Sequence, residues 1–156
     1  MVGMVGVVQA QSLTVAGWMS PPRVYASATD PSVHLKVLYS NINETVGVIE
    51  KQRGAFYLGW YNPLPGVSGE WSIGAVVVVE SERQGGKVLS HDQTLGLRAD
   101  VTLRVASGVL SFGLSSAGVD YSGGIDLLRI GTFSLFAGYS SWPNHQGPMI
   151  GVSTRW

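Results

Sequence analysis

Polarity in this chain repeats every two residues, from Leu13 almost to its last residue. Thr94–Val105 shows it most clearly: Leu95, Leu97, Ala99, Val101, Leu103 and Val105 alternate with Gly96, Arg98, Asp100, Thr102 and Arg104. A β-strand sends successive side chains to opposite faces, so one face of this segment is wholly apolar and the other carries charge. At about 3.3 Å per residue these twelve residues reach roughly 40 Å, long for a strand of a globular protein. No segment carries the 3.6-residue stripe of an amphipathic helix over a usual helical length.

The alternation recurs in Val33–Ser40, Phe56–Tyr61, Trp71–Glu80, Leu110–Ser115, Phe133–Tyr139 and Met149–Trp156. Leu38, Val76, Val78 and Phe136 break it by placing apolar residues on the polar side. Turn-forming residues separate the runs: Ser20-Pro21-Pro22, Asn41–Asn43, Asn62–Gly69, Gln84-Gly85-Gly86, Ser107-Gly108, Ser122-Gly123-Gly124 and Pro143–Gly147. With Leu13–Met19 as a weaker first run, eight strands are expected. Over Ile125–Gly131 the apolar parity switches near Gly131, which suggests a bulge there.

Composition narrows the function classes. Net charge is zero, which argues against a nucleic-acid binder. Charged residues are only 13%, against about 25% in ordinary soluble chains. There is no Cys, so disulfides, thiolate metal sites and thiol nucleophiles are excluded. No apolar run approaches the roughly 18 residues of a spanning helix. The length suits one domain, expected over residues 11–156. Residues 1–10, MVGMVGVVQA, are small and apolar, and Val8-Gln9-Ala10 fits a signal-peptidase site. They read as a signal-peptide remnant lacking its basic start, with the mature chain beginning near Gln11.

Amphipathic strands close in two ways. In a soluble barrel or sandwich the apolar faces point inward; in a membrane barrel they point outward and polar faces fill the lumen. The outward arrangement predicts lumen-lining charges at Lys36, Glu80, Arg98, Asp100, Arg104, Arg129 and Arg155, with Asp126 as a further partner. Such charges must pair inside a narrow barrel. It also predicts interface aromatics at Trp18, Tyr39, Trp60, Trp71, Tyr121, Tyr139, Trp142 and Trp156.

The final strand, with apolar Ile150 and Val152 before an aromatic Trp156, resembles the terminal strand of bacterial outer-membrane β-barrels. Thr154 departs from that pattern, where those proteins often carry an aromatic or aliphatic residue. The resemblance is to a class, that of small outer-membrane barrels. It implies an up-and-down transmembrane barrel in the bacterial outer membrane, with lipid or lipopolysaccharide around it. It also implies recognition of the last strand by the barrel-assembly machinery. The implied role is structural, adhesive or surface-interacting, through segments such as Ser20–Asp30, Asn62–Gly69 and Trp142–Pro148, with a narrow pore as its sharper form. One conflict stands. With Trp156 on the periplasmic side, eight strands put the Ser107-Gly108 turn outside and the long Glu82–Gln93 connection inside. Barrels of this class have the reverse, so either the strand count is off by one in the middle or the protein is a plainer β-protein, secreted and ligand-binding.

Catalytic motifs are absent: there is no Gly-x-Ser-x-Gly, His-Glu-x-x-His, P-loop or EF-hand loop. No cofactor is implied. Small outer-membrane barrels include lipid A deacylases and an acyltransferase that use His and Ser. That resemblance makes His34 and His91 weak candidates for a lipid-modifying hydrolase, though the deacylase run of His followed by Ser or Thr and Asn is missing. His34 is expected on the polar face beside Lys36, His91 and His145 in polar loops. Glu80 and Glu82 share a face and read as a strand end fraying into a charged loop.

Overall fold

The computed structural model describes residues 11–19, 21–105, 107–116, 118–143 and 146–155. The expected signal remnant at 1–10, His145 and Trp156 lie outside the described residues. Ten strands follow one another: β1 (Ser12–Met19), β2 (Pro22–Asp30), β3 (Leu35–Val46), β4 (Ile49–Pro63), β5 (Gly69–Gln84), β6 (Lys87–Val105), β7 (Gly108–Ser115), β8 (Gly118–Ile130), β9 (Phe133–Ser140) and β10 (Gly147–Arg155). A single 3-10 turn, Pro31–Val33, joins β2 to β3. Each strand pairs antiparallel with its neighbours in sequence, and β1 pairs with β10 from Ser12↔Arg155 to Gly17↔Ile150. The result is a closed up-and-down barrel, which leaves no edge around the wall.

The count is ten rather than the expected eight. β2 escapes the periodicity because, after Val24, its outer side chains are Ala26 and Ala28, too small to contrast with Tyr25 and Ser27. β8 escapes it because a bulge between Asp126 and Leu128 resets its parity, some residues before Gly131. Gly131 instead holds a positive φ of 61° in the β8–β9 turn. The extra strand at 118–130 changes which connections share an end. The β6–β7 connection lies at the end that holds Ser12 and Arg155, and at the opposite end the expected long Glu82–Gln93 connection is strand broken only by the 85–86 turn. The Asn62–Gly69 connection shares the first end and the β9–β10 connection the second, so the segments expected to interact lie at both ends. Most of Ser20–Asp30 is strand.

The apolar faces point outward. Leu97 is 72% exposed and Phe112 52%, whereas Arg98 is 3% and Asp100 4% exposed. The residues that broke the alternation, Leu38, Val76 and Phe136, point inward and are buried. Glycines on the inner face make room for large neighbours: a Cβ at Gly59 would overlap the Tyr57 ring, and one at Gly113 would overlap Arg98 and Asp120.

The wall is not of even height. β7 ends at Ser115, paired with Arg98, while β6 continues to Lys87 against β5. β3 and β4 likewise run on to the Val46↔Ile49 pair. These extensions form a four-stranded ribbon that rises past the rim at the end opposite Ser12 and Arg155. We call the two ends the ribbon end and the terminal end.

Candidate functional site

β6 supplies the centre of the lumen because its inner positions carry Arg98, Asp100, Thr102 and Arg104. Arg98 forks onto Asp120 of β8, with Nη2–Oδ1 at 2.7 Å and Nε–Oδ2 at 3.1 Å. Its Nη1 donates to Asp100 at 2.6 Å, and Lys36 of β3 donates to the same carboxylate at 2.9 Å. Ser72 Oγ donates to Asp100 Oδ1 at 2.6 Å. That uses its one hydrogen, so the Tyr57 hydroxyl donates to Ser72 Oγ at 2.7 Å. Two cations and two carboxylates are thus balanced and hydrogen-bonded in one layer, the condition under which buried charges persist.

Towards the terminal end, Glu70 Oε1 accepts from the Tyr61 hydroxyl at 2.9 Å and from Arg104. Arg129 pairs with Asp126 at 2.7 Å, with 66% of its side chain exposed. Ser and Thr hydroxyls pair across neighbouring strands, as in Thr102–Ser111 at 2.7 Å and Ser12–Thr29 at 2.6 Å. Together these side chains line a cavity of about 780 Å³. The lining runs from exposed Ser107, Thr132 and Arg155 at the terminal end to buried Trp142 and Met149 at the ribbon end. The chamber opens at the terminal end, where these lining residues are exposed.

Above the charged layer the lumen becomes apolar. Leu38, Ala55, Tyr57, Val76 and Trp142 form one cluster, and Ala16, Phe136 and Met149 a second; Tyr25 touches both. The Arg98 guanidinium carbon lies 5.0 Å from the Tyr57 ring centre and 5.7 Å from that of Trp142. Both faces attract a cation.

Lys36, Arg98, Asp100 and Arg104 therefore line the lumen, with Arg155 and Arg129 at its mouth. Glu80 does not. It sits on the ribbon past the rim, 48% of its side chain exposed, and takes Arg53 as partner at 3.2 Å. Among the aromatics, Tyr39, Trp60, Trp71, Tyr121 and Tyr139 lie on outward positions of the register, with Trp60 and Trp71 near the terminal end and Tyr121 and Tyr139 near the ribbon end. Two do not. Trp142 is 5% exposed, packed inside the barrel against Leu38, Ala55, Tyr57 and Val76. Trp18 pairs with Arg23 on the inner register at the rim.

His34 is also displaced from its expected place. It precedes β3 in a left-handed conformation, its ring stacked on Trp60 at 4.6 Å and its Nδ1–H bonded to the Tyr61 carbonyl at 3.1 Å. His91 lies in the ribbon opposite Ser81, at the other end of the molecule. The two histidines cannot share a site, and no group of His, Asp and Glu among the described residues has metal-binding geometry. Sequence reasoning missed Tyr57, Tyr61, Glu70, Ser72 and Asp120. The tyrosines were visible as the polar partners of Phe56, Leu58 and Trp60; Asp120 was hidden in the unseen strand. Comparison of the chain with protein-family models, curated proteins and solved structures finds no match.

Proposed function

We propose that this chain is a membrane-spanning β-barrel of the bacterial outer-membrane type, with lipid around its wall and a surface-interaction role for its ribbon. The observation that carries this reading is the inversion of polarity. Large apolar side chains such as Leu97, Phe112, Leu135 and Val152 point away from the barrel, while Lys36, Arg98, Asp100 and Glu70 are buried within. In water, that arrangement leaves a continuous apolar belt exposed, far beyond the few hundred Å² tolerated on a soluble surface. In lipid it is the favourable one. The shortest strands, β1, β7 and β9, have eight residues, about 26 Å along the strand and roughly 20 Å in height once tilted by about 40°, somewhat less than the apolar band of about 25 Å on such barrels; the other strands are longer.

The hairpins extended past the rim at the ribbon end alone and the even strand number match the asymmetry of such barrels. That orientation puts the terminal end in the periplasm and the ribbon outside. Beyond Leu97, β6 runs roughly 30 Å along the strand to Lys87, with no partner on its β7 side among the described residues. The exposed Val46, Val48 and Val88 near its tips give the ribbon apolar contact points.

The test is vesicle flotation of the full chain together with heat-modifiable gel mobility. An inserted barrel floats with the vesicles and migrates faster before boiling than after. A protein that stays in the soluble fraction with one mobility overturns the reading. A Val101→Cys label near a lipid-side quencher adds the orientation: quenching is expected, and its absence points to an inward apolar face.

A further inference from the structure

The connection between β9 and β10 differs from its neighbours at the ribbon end. Two residues separate β1 from β2, β3 from β4, β5 from β6 and β7 from β8, whereas six, 141–146, separate β9 from β10. Its described start turns into the barrel at Trp142. Trp142 is buried against Leu38, Ala55, Tyr57 and Val76, directly above Arg98. Its stem is pinned at several points. The Trp142 N–H donates to Ser140 Oγ at 3.1 Å. The Ser141 N–H donates to the Tyr121 carbonyl at 2.8 Å, and the Tyr121 N–H returns a bond to Ser141 Oγ at 2.8 Å. Arg23 Nη1 donates to the carbonyls of Ser140 and Gly147, at 3.1 and 3.3 Å, and so ties both ends of the connection to β2.

We propose that the lumen is an ion path held shut at one layer, and that Trp142 is its gate. This rests on the membrane reading above. The cluster's other members sit on β3, β4 and β5, fixed by the ladder of the wall. Trp142 sits on a connection, so it can leave without breaking any strand pairing. Its departure uncovers Arg98 to water and joins the chamber to the ribbon end. The open path carries small inorganic ions. Its charged layer is balanced, Lys36 and Arg98 against Asp100 and Asp120. Its mouth holds Arg104, Arg129 and Arg155 against Glu70 and Asp126. That excess of one cation favours chloride over potassium.

The experiment is planar-bilayer recording of the full chain in potassium chloride, with insertion scored separately by flotation and heat-modifiable mobility. A protein that does not insert fails the membrane reading; the gate is judged on inserted protein. Expected are a silent native protein, a silent Trp142→Phe, and steady conductance for Trp142→Ala with its reversal potential displaced towards that of chloride in a salt gradient. Should Trp142→Ala fail to fold, Arg23→Gln keeps the indole and removes its tether, and brief openings are expected. Inserted Trp142→Ala as silent as the native protein overturns the gate, as does an inserted Arg23→Gln that never opens. A native protein as conductive as Trp142→Ala overturns it too, and a cation-selective current overturns the assignment of the mouth charges.

Discussion

The barrel wall and the ribbon are built from the same strands, yet their charges live under different rules. In the wall, Arg98 and Asp120 pair at 2.7 Å with side chains 3% and 13% exposed. On the ribbon, Lys51 and Glu82 lie 3.9 Å apart and are 50% and 43% exposed. Lys51 and Glu82 are direct partners across β4 and β5, whereas Arg98 reaches Asp120 over Gly113 of the intervening β7. The surroundings differ as well: water screens the ribbon pair and competes for its partners, while the buried lumenal charges depend on their neighbours. Charge in the wall is therefore a structural commitment, and charge on the ribbon is free to serve solubility or recognition.

That contrast can be broken at its strongest point first. Asp100→Ala strands Lys36 and Arg98 in the lumen, and removing one partner of a buried ionic network costs about 3–5 kcal/mol. Urea unfolding of the reconstituted barrel should show that loss, and a change below 1 kcal/mol would mean the layer is solvated like the ribbon. Next comes Val101→Arg, on the outer face of β6. If lipid meets that face near the midplane, the cost is about 2–4 kcal/mol in vesicles. The same substitution at Gln93, on the outer face of the ribbon, should leave stability unchanged, and equal costs at both sites would erase the distinction between wall and ribbon. Tyr57→Phe removes the hydroxyl that donates to Ser72 and should cost about 0.5–1.5 kcal/mol. The smallest effect is expected for Lys51→Ala, between zero and about 1 kcal/mol, and it should vanish in high salt. A double-mutant cycle on Lys36 and Asp100 beside one on Lys51 and Glu82 would put both regions on one scale.

Much of the fold was legible along the chain. Thr94–Val105 showed both of its faces plainly, and Arg98, Asp100 and Arg104 were assigned to the lumen from alternation alone. β2 was not legible, because alanines on its outer face blur the contrast on which periodicity depends. β8 was not, because its bulge shifts the parity midway. Trp142 was misplaced for another reason: an aromatic after a strand end looks the same whether its connection folds out to an interface or in to a lumen. Glu80 continues the inner register of Ser72 and Val76, and nothing local says that the wall beside it has already ended.

The sequence by itself determined that the chain makes amphipathic antiparallel strands, since side-chain alternation is a property of each strand alone. Its lack of Cys also excluded disulfides, thiolate metal sites and thiol nucleophiles. Only the tertiary structure decided the rest: that the strands number ten and close β1 on β10, that the apolar faces turn outward, that Lys36 meets Asp100 across 64 positions and Arg98 meets Asp120 across 22, and that Trp142 caps them. Those outcomes depend on register around the whole barrel. A period of two specifies which side a residue faces but leaves open what stands opposite it.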